Sequence, residues 1–435
     1  MQHQQLNAHS PLNEWLCYLE QQHYKAIDLG LERVASVAKQ LDLLKPAPLV
    51  ITVGGTNGKG TTCRLLEKVL SEIGLKVGVY SSPHLIRYNE RVRIEQQELS
   101  DQQHSQSFAF IEQQRNQSLT YFEFSTLSAL HLFKQAKLDA VILEVGLGGR
   151  LDATNIVDAD IAVITSIDID HTDFLGSERE QIAFEKAGIF RANKPAVIGE
   201  QHIPQSMLDY AQQLGCELAC REQQWQFQQQ GNTWCWQNQH TRLENLPLCQ
   251  IPLANAATAL AVLSFVPYSI PDKVIYQALQ NVQLTGRFQY LTATQQQRLA
   301  QKFAQQDLPQ IILDVAHNPH AAHYLAEKLQ AIKAQHTNSK IVAICGILQD
   351  KDSQGIFKPL VPVIDQWYCI SLQGTRGQSA QKLQKNLQAL AKVDSYCAET
   401  LAEALAMALK NSQAQDYLII FGSFYTVAEL LWLLE

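Results

Sequence analysis

TVGGTNGKGTT (residues 52–62) follows the apolar run LVITV (49–53) and precedes a stretch in which Leu65, Leu66, Val69 and Leu70 share one helical face, with Gly74 as its stop. The order is strand, glycine-rich turn, helix. Gly54, Gly55, Gly58 and Gly60 permit close backbone approach, so successive amides and the helix N-terminus are set to face an anion. Lys59 adds a point charge for β- and γ-phosphates, and Thr61 or Thr62 a hydroxyl for Mg²⁺. The usual phosphate-loop spelling G-x-x-x-x-G-K-[ST] requires Gly at 53 and a hydroxyl residue at 60; this chain has Val53 and Gly60. The bland alternative is a plain turn before a helix. The density of Gly, Lys and Thr behind a buried strand favours a phosphate site of another spelling.

Outward from this loop, short β-branched runs alternate with helical stretches: KVGVYSS (76–82), DAVILEVG (139–146), IAVITSIDI (161–169) and PAVIGE (195–200). Such runs, joined by helices, predict an α/β fold with a parallel sheet covered on both faces and ligands at the carboxyl ends of its strands. EQQWQFQQQGNTWCWQNQ alternates polar and apolar around a Gly-Asn turn and predicts a β-hairpin within 222–250, decorating an edge of the first domain. A second α/β series follows, with QIILDVAH (310–317), KIVAICGI (340–347), QWYCISL (366–372) and DYLIIFGS (416–423). The predicted organisation is a P-loop parallel-sheet domain over 1–290, a polar linker or inserted helix over 291–309, and a smaller Rossmann-like α/β domain over 310–435.

Composition narrows the function. The 435 residues carry a formal net charge of -7, which argues against a broad basic face for nucleic acid. Nine scattered cysteines with no C-x-x-C read as free thiols in a reducing cytosol. The N-terminus MQHQQLNAHSPLNEWL has no basic-then-apolar leader, and no apolar run approaches the ~18 residues of a membrane span. The expected setting is cytoplasmic, without membrane partners.

Further motifs sit at strand ends. VILEVGLGGRLDATNIV (141–157) places Glu144 in a buried stretch, where a carboxylate calls for a cation. SIDIDHTDFLG (166–176) gathers His171 among carboxylates, and YSSPHLIRYNERVRI (80–94) adds Ser82, His84, Arg87 and Arg91; for these arginines a solvated basic face is the alternative.

Together, ITVGGTNGKGTT, EVGLGGRLDATN, DHTDFLG, SPHL, EKAGI (185–189), DVAHNP (314–319), GILQDKD (346–352) and GTRG (374–377) resemble the signatures of the Mur-ligase superfamily, most closely its folylpolyglutamate synthases. The resemblance spans roughly residues 15 to 430. It implies Asn57, Gly58, Lys59, Gly60, Thr61, Asn255, Arg287 and Asp314 as nucleotide contacts, and Ser82, Glu144 and His171 as ligands of Mg²⁺. It implies that Lys186 is carbamylated by CO₂ and holds a second Mg²⁺, although a helical lysine is ordinarily a surface charge. Lys59, Lys186, Asp314 and His317 are then the catalytic set, with His317 near the incoming amino acid or the reacting phosphate. IDLGLERV (27–34) opens a helix with Asp28 as its N-cap; the run resembles bifunctional bacterial members, where it lies beside the pterin. YFEFSTLSAL (121–130) is similar to a second segment of theirs. The implied pterin or folate set is Asp28, Leu29, Gly30, Leu31, Phe122, Glu123, Phe124, Ser125, Leu151 and Asp152; Phe122 and Phe124 are otherwise ordinary core residues.

The implied activity is ATP-dependent ligation of L-glutamate to dihydropteroate and to tetrahydrofolates through an acyl phosphate, by a monomer. Alternatives are a synthase lacking the dihydropteroate activity, another Mur-type ligase, and a non-catalytic ATP switch. Departures from the family pattern are the length of the Gln-rich segment 294–309 and Tyr425, which stands where a His is common.

Overall fold

The computed structural model describes residues 6–25 and 27–435; the first five residues of the N-terminal stretch read for a leader lie outside them. The chain divides into two compact units, Met1–Val282 and Gln283–Glu435.

The first unit is built on β1 (Leu49–Gly54), β2 (Val77–Tyr80), β3 (Val92–Ile94), β4 (Gln97–Glu98), β5 (Ala140–Glu144), β6 (Ile161–Ile164), β7 (Pro195–Ile198) and β8 (Glu217–Cys220). They form one sheet in the order β4-β3-β2-β5-β1-β6-β7-β8. All pairs are parallel except β2–β3 and β3–β4. The central strand β1 is buried throughout. Leu49, Ile51 and Val53 face one core, with Leu65, Leu66 and Val69 of the Lys59–Glu72 helix. Val50 faces the other, with Phe124 and Leu127 of the Tyr121–Ala136 helix. Burial on both faces is why these strands read as continuous apolar runs.

Residues 222–250 contain the predicted hairpin and add a third strand to it. They form a separate antiparallel sheet, β9 (Trp225–Gln230), β10 (Thr233–Asn238) and β11 (Arg242–Pro247), in the order β11-β10-β9. Its Trp225, Trp234, Trp236, Leu243 and Leu246 are buried in the core shared with the Leu253–Leu263 helix. The third strand escaped the alternation test for a physical reason. A register shift between Trp234 and Trp236 pairs them with Leu246 and Leu243, three residues apart rather than two. The same sheet helps to bury the Leu253–Leu263 helix from Ala256 to Leu263.

The second unit holds β12 (Gln289–Tyr290), β13 (Gln310–Asp314), β14 (Ile341–Cys345), β15 (Gln366–Ile370), β16 (Asp394–Ala398) and β17 (Tyr417–Phe421). The order is β12-β13-β17-β14-β15-β16, and only β12 is antiparallel to its neighbour. The unit therefore begins before the predicted linker. Within 291–309 the helix Ala293–Lys302 is capped by Thr292 and Gln295 and buries Leu299. Arg298 and Lys302 donate to the carbonyls of Leu434 and Leu433. One apolar residue in a Gln-rich run is too little periodicity to mark a packed helix.

The nine cysteines are free, and four of them are buried. No helix among the described residues is long and apolar enough to cross a membrane.

Candidate active site

The turn after β1 is stitched to the end of β6. Asn57 N–H donates to Ser166 Oγ at 3.0 Å, and Thr165 Oγ1 donates to Asn57 O at 2.6 Å. Thr56 Oγ1 donates to Asp168 O and accepts from Asp168 N–H, at 3.1 and 3.0 Å. Gly58, at φ 86°, caps the Lys59–Glu72 helix in the left-handed region. A β-carbon there would lie 2.4 Å from Asn255 Oδ1, so only glycine fits. Asn255 Nδ2 donates to Thr61 Oγ1 at 2.9 Å, and Lys59 Nζ donates to the carbonyls of Gly55 and Thr56 at 2.9 and 3.2 Å. Gly60 lies in the first helical turn. The structure thus brings together Asn57, Gly58, Lys59, Gly60, Thr61 and Asn255. Thr165 and Ser166, which hold the loop, went unnoticed in the sequence; their signal was the pair of hydroxyl residues closing an otherwise apolar strand.

Glu144 ends β5 opposite Val53 of β1 and is 6 % exposed. The loop beyond it is shaped by Asp152, which is buried. Its Oδ2 accepts from the amides of Gly146 and Leu147 at 3.0 and 2.9 Å, and its Oδ1 from Thr154 N–H and Oγ1–H at 3.0 and 2.6 Å. Burial raises the Asp152 carboxyl, against these hydrogen bonds. Leu151 beside it is half-buried. Gly149 runs against the Glu185 and Lys186 carbonyls, where a β-carbon would lie 2.8 and 2.9 Å away. Arg150 N–H donates to Glu185 O at 2.7 Å. This contact carries Lys186 into the interior. It is 3 % exposed, not a surface charge. Burial, reinforced by the Lys59 ammonium, pulls the Lys186 amine down to about 7 against the opposing effect of Asp170 and Asp152.

His171 is exposed and caps the turn Thr172–Leu175 from the left-handed region, at φ 54°. Ser82 is half-buried, two residues past β2. Its loop is fixed by Glu90, whose carboxylate accepts the amides of Leu85, Ile86 and Arg87 at 2.6, 2.6 and 2.7 Å. Burial, then Arg91, pulls His84 down to about 4. Among the described residues no three of His, Cys, Asp and Glu converge on a metal position.

The segments IDLGLERV and YFEFSTLSAL meet through Arg33, which nothing in the local sequence pattern marks. Arg33 donates to Asp28 Oδ2 at 2.6 Å and to Glu123 Oε1 at 3.0 Å. Asp28 is not an N-cap. The helix starts at Glu32, with Leu31 at the capping position and no side-chain cap. The Asp28 carboxylate is taken up by Arg33, Lys25 and His23 instead. Gly30 lies in the extended segment before the helix, Leu29 is exposed, and Leu31 is half-buried. Glu123 and Ser125 are buried. Phe122 is half-buried against Gly146, whereas Phe124 is 1 % exposed and packs edge-on to Phe108. Phe124 is a core residue with no face for a ring to stack on.

In the second unit, Asp314 ends β13 and is buried. Its oxygens accept the amides of Phe288 and Ala316 at 2.8 and 2.7 Å, and burial raises its carboxyl while Arg287 opposes. Arg287 lies over the Phe424 ring at 5.1 Å. His317 Nδ1 is 2.8 Å from Val315 O, and Asn318 caps the Pro319–Gln335 helix. Ser423 caps the Phe424–Leu434 helix, and Tyr425 is exposed. The GILQDKD and GTRG loops are joined by Arg376, which donates to both oxygens of Asp350 at 3.0 and 2.6 Å.

Residues 53–242 match the Mur ligase middle domain, and residues 297–424 the Mur ligase glutamate ligase domain. The dihydrofolate synthase/folylpolyglutamate synthase of Haemophilus influenzae is 58% identical over 432 residues, 99% of each chain. The chain belongs to this family of Mur ligases. Escherichia coli FolC, solved in complex with DHPP and ADP, superposes with a TM-score of 0.91 at 49% identity over 98% of each chain. A bifunctional folylpolyglutamate synthase/dihydrofolate synthase solved with Mn, AMPPNP and L-glutamate gives 0.89 at 53% identity, covering 99% of this chain and 100% of that one. Membership makes this chain an ATP-dependent amide ligase of folate metabolism, with the two-unit Mur ligase fold. A non-catalytic switch is excluded.

Proposed function

We propose that the protein joins L-glutamate both to dihydropteroate and to the glutamate tail of tetrahydrofolates, as a cytoplasmic monomer. The observation that carries the dual activity is the Asp28–Arg33–Glu123 bridge, which ties IDLGLER to the Phe122–Ser125 segment. The γ-phosphate of ATP passes to the substrate carboxylate and leaves ADP. The amine of glutamate then attacks the acyl carbon and loses a proton, and the tetrahedral intermediate collapses to an amide and phosphate.

In this reading the amides of Asn57–Thr61 and the Lys59 ammonium neutralise transferring phosphate charge. Asn255 orients Thr61. Glu144, Ser82 and His171 hold a divalent cation; a buried carboxylate, a hydroxyl and an imidazole leave room for phosphate and water oxygens, which suits Mg²⁺. Bound there, the ion supplies charge stabilisation and a template. Lys186 is carried as the carbamylated lysine, forming a second metal ligand. The burial that draws its amine down to about 7 supports this, because the neutral form, which adds to CO₂, is then well populated near neutral pH. Asp314 and Arg287 are assigned to the nucleotide and His317 to the incoming glutamate. Leu29, Gly30, Leu31, Phe122, Leu151 and Asp152 are assigned to the pterin.

The test offers purified protein Mg-ATP and L-glutamate with dihydropteroate, with tetrahydrofolate, or with neither, and measures phosphate and amide product. Glutamate-dependent turnover is expected with both pterins. Turnover with tetrahydrofolate alone would reduce the protein to a folylpolyglutamate synthase, and turnover with neither would overturn the reading.

A further inference from the structure

The loop that carries Ser82 also carries a cation to which the reading above gives no task. Arg91 closes the short helical turn Tyr88–Arg91 and is 9 % exposed. Its Nε–H donates to His84 Nδ1 at 2.8 Å, and its guanidinium lies over the rings of Tyr88 and Tyr121, at 5.8 and 5.5 Å from their centroids. Among the described residues no carboxylate is within ion-pair distance of Arg91, and its two terminal nitrogens have no hydrogen-bond partner. Neighbouring arginines differ. Arg93 pairs with the buried Glu67 at 2.9 Å, Arg33 with Asp28 and Glu123, and Arg87 with Glu98.

A buried guanidinium without a counter-charge is costly, and aromatic faces recover only part of the loss. The remaining donors form a planar fork, which matches a carboxylate in two-point contact. His84 adds to it. Because Nδ1 accepts from Arg91, the ring proton sits on Nε2, which becomes a second donor. The frame is rigid, since Ser81 N–H donates to Arg91 O at 2.8 Å and Glu90 clamps the amides of 85–87.

Position selects the anion. Tyr121 opens the helix that carries Phe122–Ser125, and Phe122 lies against Gly146 and beside Tyr80 at 5.9 Å. Arg91 thus stands between the Ser82 loop and the segment assigned to the pterin, whereas phosphate groups have the amides of the Lys59 loop. We propose that Arg91, oriented by His84, binds the carboxylate of the folate substrate that ligation activates. The inference rests on the folate reading of the site.

The test is equilibrium titration of the full-length protein, with Mg-ADP present, by dihydropteroate and by its carboxamide, followed through pterin fluorescence. The native protein is expected to bind the acid at least about tenfold more tightly than the amide, the scale of one charge-assisted contact. In Arg91→Met that ratio falls to about one, through weaker acid binding alone, with amide and ADP affinities unchanged. Arg91→Lys, which keeps charge but not the fork, is expected to lie between, and it serves if the Met variant fails to unfold cooperatively. An unchanged ratio in either variant overturns the proposal, as does weakened ADP binding in place of weakened acid binding. If the native protein binds neither pterin, the folate reading falls and the proposal with it.

Discussion

Lys186 shows how one residue's environment dictates its chemistry. Lysine is rarely buried without a partner charge, and here burial and Lys59 together bring the amine to about 7 from the usual 10.5. Between those values the folded amine is neutral while the unfolded one is protonated. The unfolded state binds more protons, so stability rises with pH across that window and the burial penalty is fully felt below it. Lys186→Met is therefore expected to be more stable than the native chain below about pH 7, and the gap to shrink by about 1.4 kcal/mol per pH unit as pH rises toward 10. A carbamate no longer titrates as an amine, so bicarbonate should flatten the native profile and leave that of Lys186→Met unchanged. Denaturant unfolding between pH 6 and 10, with and without bicarbonate, reads both. Parallel profiles, indifferent to bicarbonate, would mean that Lys186 is neither perturbed nor modified. Ligase activity in Lys186→Met should drop about 100-fold or more, the scale of one lost charge-stabilising group.

At the scale of elements, the second unit needs its first 27 residues, 283–309. β12 covers the edge of β13, the Phe288 amide satisfies one oxygen of buried Asp314, and the helix Ala293–Lys302 inserts Leu299. A chain of residues 310–435 loses all three. Against residues 283–435 it is expected to be less stable by at least about 2 kcal/mol, the contribution of one buried leucine before the lost hydrogen bonds are counted. Equal denaturation midpoints would restore 291–309 to a linker. The elements legible in the sequence were those whose residues repeat one simple pattern: buried parallel strands, and the glycine-rich turns at their ends. β11 was hidden by a register shift, and Ala293–Lys302 by having one apolar anchor in a glutamine run. Within the site, Lys59 and Glu144 could be named because their types are unusual behind apolar strands, whereas Lys186, on the helix Arg179–Ala187, was marked only by the family resemblance. Arg33, Thr165 and Ser166 could not be named, since what distinguishes them is a partner about 90 to 110 residues away in the chain, as in Arg33–Glu123 and Ser166–Asn57.

At the scale of the whole chain, the phosphate loop is complete within the first unit. Its support from Thr165, Ser166, Asp168 and Asn255 lies before Val282, as do the cores on both faces of β1. A loop held by its own unit needs no other part of the chain to keep its amides pointed at phosphate. Residues 1–282 alone are therefore expected to unfold cooperatively and to be stabilised by Mg-ADP, by about 2.7 kcal/mol at one hundred times its dissociation constant. They should show no ligase turnover, because Asp314, Arg287 and His317 are missing. Thermal unfolding of this fragment across a nucleotide titration makes the measurement. A midpoint that does not move with ADP, in a fragment that still unfolds cooperatively, would show that the loop is not a sufficient nucleotide site. The binding energy would then have to come from Arg287 and Asp314.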